Sequence, residues 1–381
     1  MSDRLPNAGS RTDGPKTDTI KIFHGPQHPG VTGNMSMELD LDGETIVKAV
    51  THVGYLHRGF EKLIERRTLI QAFTIVCRIC VPEPDPNEEN FARGVEELAG
   101  LEISERAKFI RVMVLELSRL QAHYLWLAGQ GGSIGHEVVP QWAVGERDYI
   151  LDLFEELTGG RVYHMYIYPG GVKRDLPDGL LERLSDLLNT LEQRLPEYDR
   201  IFFDNAGVKK RLQNVGVVKP EEAIGNGYTG PVIRACGLPR DVRRDAPYLV
   251  YDQLDFEIPT QTGGDAYARA LVRRAEMYQS LRILRQVIER MPPGEIQCKL
   301  PRHHKFTLPK GETYVQSESA RGAFGYFMAG DGSEYLRRLQ VRGPSIVHGF
   351  TLLEPLLVGA QLADVALIMN SLGICPPEIE R

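Results

Sequence analysis

Met35, Met37, Leu39 and Leu41 are apolar, and Ser36, Glu38 and Asp40 between them are polar. That two-residue period predicts a strand with one buried face. Asp42-Gly43 follows, and the apolar positions of 45–50 supply a second strand, so the pair reads as a hairpin. With a first strand over 19–23, residues 19–58 form a small β unit. From about Gly59 the period lengthens. Ser104 is placed to cap a helix whose apolar positions are Ala107, Ile110, Val114, Leu117 and Tyr124. Gly129, Gly131 and Gly132 are expected to end it. A second helix is expected over 141–157, closed by Gly159 and Gly160. A third covers 180–195 up to Pro196, and a fourth covers 265–290 up to Pro292 and Pro293.

The four helices predict a bundle over 59–292, interrupted by a glycine-rich irregular insert at 225–259. Bundles form pockets from inward-facing side chains. Residues 293–381 read as a C-terminal section: β-like over 313–342 with turns at Gly330 and Gly332, then one helix over 352–372. Cys375 and a rigid Pro376-Pro377 follow it. The fold class is therefore α+β, a central helical bundle between a small N-terminal β unit and a C-terminal β/helix section. Residues 1–18 are polar and rich in Gly, Pro, Ser and Asp, and read as a flexible arm rather than a signal peptide.

Hydrophobic residues make up 42% of the 381 and charged residues 25%, enough for a sizeable core. A net charge of −6 argues against nucleic acid as a partner. The longest apolar stretches, 69–81 and 352–372, are broken by Arg78 and by Glu354 with Asp364, so neither reads as a membrane span. Membrane association is expected through a partner. Five scattered cysteines point to a reducing compartment and are a poor kit for an iron–sulfur cluster of this chain's own.

Five segments could carry chemistry. Cys77-Arg78-Ile79-Cys80, before Val81-Pro82-Glu83, has the spacing of a redox pair or half a metal site. Two core cysteines beside an arginine fit that spacing equally well. Cys375-Pro376-Pro377-Glu378 sets a thiol and a carboxylate three residues apart, or is a buried cysteine before an exposed tail. His24-Gly25-Pro26-Gln27-His28 puts two histidines in a rigid turn, for hydrogen bonding or for a metal. His57-Arg58-Gly59 fits a cofactor contact or a surface salt bridge. The stretch from Arg161 through Tyr163, His164, Tyr166 and Tyr168 to Gly171 reads as a tight entry loop or as packing.

Together these segments carry a resemblance. Gly25-Pro26-Gln27-His28-Pro29, His57-Arg58-Gly59 with Glu61-Lys62, Arg78, Arg161 with Pro169-Gly170-Gly171, Arg342-Gly343-Pro344-Ser345 and Arg381 resemble, in this order, the large-subunit family shared by respiratory complex I, where it is the D-type subunit, and membrane-bound [NiFe] hydrogenases. The resemblance runs from about residue 19 onward and implies a hydrogenase-large-subunit-like fold. In the hydrogenases, two Cys-x-x-Cys pairs hold nickel and iron. Laid on this chain they become Cys80-Val81-Pro82-Glu83 and Cys375-Pro376-Pro377-Glu378, each with its second cysteine replaced by glutamate. Two thiols and two carboxylates suit that metal pair poorly, so no metal is expected here. In the quinone-reducing members a histidine, a tyrosine and an aspartate support the headgroup. Their places hold Thr32, Val81 and Ser133.

This combination resembles the archaeal membrane-bound sulfane sulfur (polysulfide) reductases. What the resemblance implies is a catalytic-cavity subunit taking electrons from an iron–sulfur cluster in a partner and passing them to a sulfane sulfur acceptor, coupled to ion pumping. Expected catalytic residues are Cys80, Cys375, Glu83, Glu378 and Arg78, with His28, Thr32, Val81 and Ser133 lining the cavity. Arg58, Tyr163 and His164 are expected near the partner's cluster. Expected partners are a small iron–sulfur subunit resembling the B-type subunit of complex I, one resembling its C-type subunit, ferredoxin-like subunits and a membrane arm, all at the cytoplasmic face of the cell membrane. The family's NAD(H) and quinone binding and electron transport come with the resemblance. The alternatives are reduction of a quinone or other lipophilic carrier, and a catalytically silent coupling subunit.

Overall fold

The computed structural model describes residues 19–28, 30, 31, 33–299 and 306–381. The arm expected at 1–18, and Thr32, lie outside the described residues.

The N-terminal strands Ile20–His24, Ser36–Asp42 and Thr45–His52 form an antiparallel sheet in chain order, with Leu39 opposite Ala49. Met37, Leu39 and Ile46 are buried while Lys48 is exposed, as the alternation requires. Their apolar face packs on Leu352, Leu353, Leu357, Ile368 and Met369, so the two ends of the chain share one core. Glu354 fastens that contact by accepting hydrogen bonds from Thr51 N at 2.6 Å and Thr51 Oγ1.

The larger core lies among the helices Glu105–Ser133, Val138–Thr158, Leu180–Tyr198 and Ala266–Arg290. Ser104 caps the first by accepting from Ala107 N at 3.2 Å, and Asp265 caps the last by accepting from Ala268 N at 2.7 Å. The first helix runs through Gly129, Gly131 and Gly132 instead of stopping at them. These glycines serve close packing: a Cβ on Gly131 would sit 2.8 Å from Val139 Cγ1. Pro196 lies inside its helix, which continues into a π-helical turn at Asp199–Phe203.

The irregular insert holds short helices, including Gly230–Arg234 and Val242–Asp245. The helix expected over 352–372 is broken into Leu353–Leu357 and Val365–Leu372, with Gly359 between them at φ 88°.

A third core joins the helix Asp85–Ala99 to the antiparallel strands Gly311–Ser319, Gly322–Gly330 and Leu336–Arg342. Apolar periodicity does not announce this helix, because much of what it buries is polar: Asp85, Asn87, Glu88, Glu89 and Asn90 are all inaccessible. The first two strands meet in a tight turn at Ala320-Arg321, where the residue pattern predicts none.

Candidate functional site

Cys80 follows the helix Leu69–Val76, and Pro82 and Pro84 then lead the chain into Asp85–Ala99. Cys375 precedes the short helix Pro376–Ile379, whose first turn holds Glu378. The N- and C-terminal motifs meet: the Cys80 and Cys375 sulfurs and a Glu378 carboxylate oxygen lie within 4.8 Å of one another, all buried.

Arg321, from the unforeseen turn, occupies the centre. Its Nη2 donates to Cys80 Sγ at 2.6 Å and lies 3.4 Å from Glu83 Oε2 and 3.3 Å from Glu378 Oε2. Backbone donors fix both carboxylates, Ala320 N to Glu83 Oε1 at 2.7 Å and Ser345 N to Glu378 Oε1 at 2.7 Å. Glu83 N donates to Cys80 Sγ at 3.3 Å, and Cys375 N donates to Ser345 Oγ at 3.1 Å. Gly343 is required beside Glu378, since a Cβ there would fall 2.0 Å from Oε1.

Four acids thus surround one guanidinium, too many negative charges for all to ionise together. Burial pushes the Cys80 thiol well up, reinforced by its hydrogen bond to Cys375. The same bond holds Cys375 below the usual thiol range, helped by Arg321 and opposed by burial. Of the two sulfurs, Cys375 is therefore the more readily ionised. Burial also raises Glu83 and Glu378 against the pull of Arg321. Burial works against the Arg321 charge as well, but Cys80, Glu378 and Glu83 outweigh it. The cluster thus sets two thiols and two carboxyls, four groups able to hold protons, around one fixed cation.

The Cys-x-x-Cys spacing does not act as a unit. Cys77 faces away, donating to Thr74 O at 3.6 Å, and burial pushes its thiol up to about 12. Arg78 goes with it rather than with Cys80. Its Nη1 donates to Thr74 O and Cys77 Sγ, and its guanidinium lies over the Tyr163 ring at 5.4 Å. Arg58 Nη2 donates to Arg78 O at 2.6 Å. Arg58, Arg78 and Met165 line a surface hollow, so the expected catalytic arginine stands with the expected cluster-proximal residues.

Tyr163 and Met165 have φ of 60° and 47°, a backbone cost met by Glu88, which accepts from the N–H groups of Met165, Tyr166 and Ile167. His164 is buried behind them, stacked on Phe154 and bonded to Asp85 at 2.8 Å; burial opposes its charge, but Asp85 outweighs it and raises its pKa. It braces the loop rather than facing its surface.

Among the cavity residues, Val81 is 42% exposed and its backbone N–H supports Cys375. Ser133 donates to Gly129 O at 2.8 Å and accepts from Asn370 Nδ2 at 2.6 Å. His28 is exposed, packed on His24 and accepting from Gly30 N at 3.0 Å, so it does not line the thiol cluster.

At the other end of the family motifs, His57 Nδ1 lies 2.6 Å from Glu380 O, and Arg381 Nη1 donates to Val341 O at 2.6 Å. These bonds tie residues 57 and 341 to the segment that carries Cys375 and Glu378. Among the described residues, no helix is long and apolar enough to cross a membrane.

The family described as respiratory-chain NADH dehydrogenase, 49 kDa subunit, matches residues 133–304 and 299–381. The D-type subunit of NADH-quinone oxidoreductase from Thermosipho melanesiensis is 43% identical over 364 residues, 95% of this chain and 99% of that one. The D-type subunit of F(420)H(2) dehydrogenase from Methanosarcina mazei is 40% identical over 370 residues, 96% of this chain and 99% of that one. A chain in the solved structure of the membrane-bound sulfane sulfur reductase, an archaeal respiratory membrane complex, superposes with a TM-score of 0.93 at 44% identity, covering 97% of this chain and 100% of that one. With relatives this similar over nearly its whole length, the chain is a member of the 49 kDa subunit family of respiratory-chain NADH dehydrogenases.

Proposed function

We propose that this chain is the cavity-forming subunit of a membrane-bound, complex I-like respiratory oxidoreductase that passes electrons from a partner's iron–sulfur cluster to a sulfane sulfur or polysulfide acceptor, coupled to ion pumping. The observation that carries the reading is the pair of buried sulfurs, Cys80 and Cys375, held together beside Arg321. In this reading the hollow at Arg58, Arg78 and Met165 faces the cluster of a small partner that resembles the B-type subunit of complex I. A partner resembling its C-type subunit, ferredoxin-like chains and membrane-arm chains complete the assembly at the cytoplasmic face of the membrane.

The residues do not fit a [NiFe] group. Two of the four thiolates such a site uses are carboxylates here, both engaged by backbone N–H groups, and a guanidinium already fills the space among the donors. The cluster suits sulfur exchange instead. Attack of the thiolate on a polysulfide dianion gives a protein persulfide and a polysulfide one sulfur shorter. Attack by the second thiol then releases hydrosulfide and closes a Cys80–Cys375 disulfide. Two electrons from the partner's cluster and one proton restore the thiol–thiolate pair. Glu83 and Glu378 stand where that proton is needed.

A quinone is the competing acceptor, favoured by the Thermosipho melanesiensis relative, whose name is that of an NADH-quinone oxidoreductase. Against it, Val81 offers no side-chain donor and the Ser133 hydroxyl is engaged on both sides. The test is acceptor-dependent turnover of the purified complex. Polysulfide reduction should exceed quinone reduction, and Cys80→Ser with Cys375→Ser should remove most of it while the donor still reduces the cluster. Preference for quinone would overturn the acceptor assignment. Full polysulfide turnover without either thiol would mean direct reduction by the cluster or a silent coupling role.

A further inference from the structure

Beside Arg321 lies a cavity of about 90 Å3, lined by Arg273, Arg321, His123, Trp126, Pro82 and Ile374 among others. A single water needs only roughly 10–15 Å3 of such space, so the cavity admits several waters or a small ion. Among the described residues, no carboxylate lines it.

Arg321 is paired with Glu83 and Glu378, whereas Arg273 has no ion-pair partner among the described residues. Arg273 and Arg321 are 1% and 6% exposed, and Arg273 Nη2 and Arg321 Nε have no hydrogen-bond partner. Arg273 Nη1 donates to Arg269 O at 3.4 Å, and a buried cation held by no carboxylate is costly. Glu276, one turn along the helix from Arg273, is occupied by Arg234 at 2.7 Å and His123 at 3.1 Å. Arg273 instead lies over the Trp126 ring at 4.8 Å. Its guanidinium approaches the aliphatic stem of Arg321 across Gly373, where a Cβ would fall 2.9 Å from Arg273 Nη2 and 3.4 Å from Arg321 Cγ. Burial lowers the Arg273 pKa to about 9, opposed by Glu276 and aided by Arg269, Arg234 and Arg321.

We propose that this cavity is an anion subsite, in which Arg273 and Arg321 hold a small polarizable sulfur monoanion against the apolar wall of Trp126, Pro82 and Ile374. The anion is either the hydrosulfide product or the thiolate end of the acceptor. Naming sulfur rests on the proposed function; the anion site itself does not. Arg321 donates to Cys80 Sγ and also lines the cavity, so an anion here stands one residue away from the thiols.

The test uses the intact complex, with whichever acceptor it reduces, and thiocyanate and hydrosulfide as probes. Both should inhibit the native complex. Arg273→Gln should raise the inhibiting thiocyanate concentration by roughly tenfold or more, the loss expected for one charge-assisted bond. Arg273→Lys should retain part of the effect. Ala122→Leu fills the cavity without changing charge and should also abolish inhibition, which keeps the test open if Arg273→Gln assembles poorly. Hydrosulfide inhibition competitive with the acceptor assigns the subsite to the acceptor's thiolate end, and a noncompetitive pattern assigns it to the product. Thiocyanate inhibition equal in the native complex, Arg273→Gln and Ala122→Leu, or absent from the native complex, overturns the proposal. Thiocyanate inhibition that depends on Arg273 in a complex that reduces only quinones would keep the anion site and discard the sulfur reading.

Discussion

Arg321 Nη2 lies 2.6 Å from Cys80 Sγ, a contact across 241 positions of sequence that sets the electrostatics of the whole cluster. The same nitrogen faces Glu83 and Glu378, so one side chain from a strand turn holds together motifs from opposite ends of the chain. Removing it leaves Glu378 without its ion-pair partner and Glu83 with the more distant Arg119 alone, which costs roughly 3–5 kcal/mol for a broken buried pair.

Arg321→Lys and Arg321→Gln separate charge from shape. Arg321 lowers both thiols, so its loss raises the pH at which the thiolate forms. The rising limb of the turnover–pH profile should move to higher pH in Arg321→Gln and move less in Arg321→Lys, which keeps a charge but not the planar fork. A profile that keeps its position in the glutamine variant would show that the thiolate is not the reacting species.

Glu83→Gln and Glu378→Gln each keep size and one oxygen acceptor while removing a proton. Burial raises both carboxyls above the usual carboxylate range against the pull of Arg321, which eases proton uptake by either acid. Acceptor reduction should fall by roughly 10²-fold or more in the variant that lacks the delivering acid. Donor-driven reduction of the partner's cluster should be unaffected. Native rates in both variants would make the carboxylates mere fillers of the space left by absent thiols.

The cluster was half legible in the sequence. Cys80, Glu83, Cys375 and Glu378 stand in segments whose spacing and family resemblance mark them, and they do meet. Arg321 was not legible, because it lies in a two-residue turn between strands of weakly alternating small residues, flanked by Gly322 at φ 137°. The available signal was Arg321-Gly322 itself, a charged residue beside a glycine in mid-hairpin. The helix Asp85–Ala99 was hidden for the opposite reason, since its buried positions are acids and amides. Arg78 misled because adjacency in sequence is not adjacency in space: two residues before Cys80, it turns to Thr74 and Tyr163.

Gly343→Ala tests the seat of Glu378 without touching an acid. Gly343 has φ −89° and ψ 158°, which alanine adopts freely. The conflict is steric: the new Cβ would lie 2.0, 2.3 and 2.4 Å from Oε1, Cδ and Cγ of Glu378. The carboxylate must leave Ser345 N and Arg321, costing about 1–3 kcal/mol as overpacking does. In a Glu378→Ala background the same substitution should be nearly neutral, and a double-mutant cycle of denaturation midpoints reads the coupling. Equal costs in both backgrounds would place the strain elsewhere.

His348 makes acid sensitivity testable at one residue. Burial, then Arg273, Arg269 and Arg321, push its pKa from the ordinary 6.5 down to about 3, and burial takes His123 to about 4 against the pull of Glu276. Both rings are therefore neutral when folded and charged when unfolded between those values. As pH falls below 6.5 the unfolded chain binds protons that the folded chain does not, so stability that is full above 6.5 is lost toward pH 4 and 3. Glu88 and Glu318 act oppositely. Burial raises them to about 8 and about 7, so they add stability as pH falls through those values toward 4.5. The net curve is a difference of these effects, and a single variant isolates one of them. His348→Phe removes the titrating ring and keeps an aromatic against Tyr228, whose ring centroid is 6.2 Å away. Between about pH 6.5 and 5 the native protein should lose roughly 2 kcal/mol more than this variant, at about 1.4 kcal/mol per pH unit for one proton. Urea midpoints at the two pH values measure that difference. Identical losses in both proteins would mean that His348 takes up its proton within the fold.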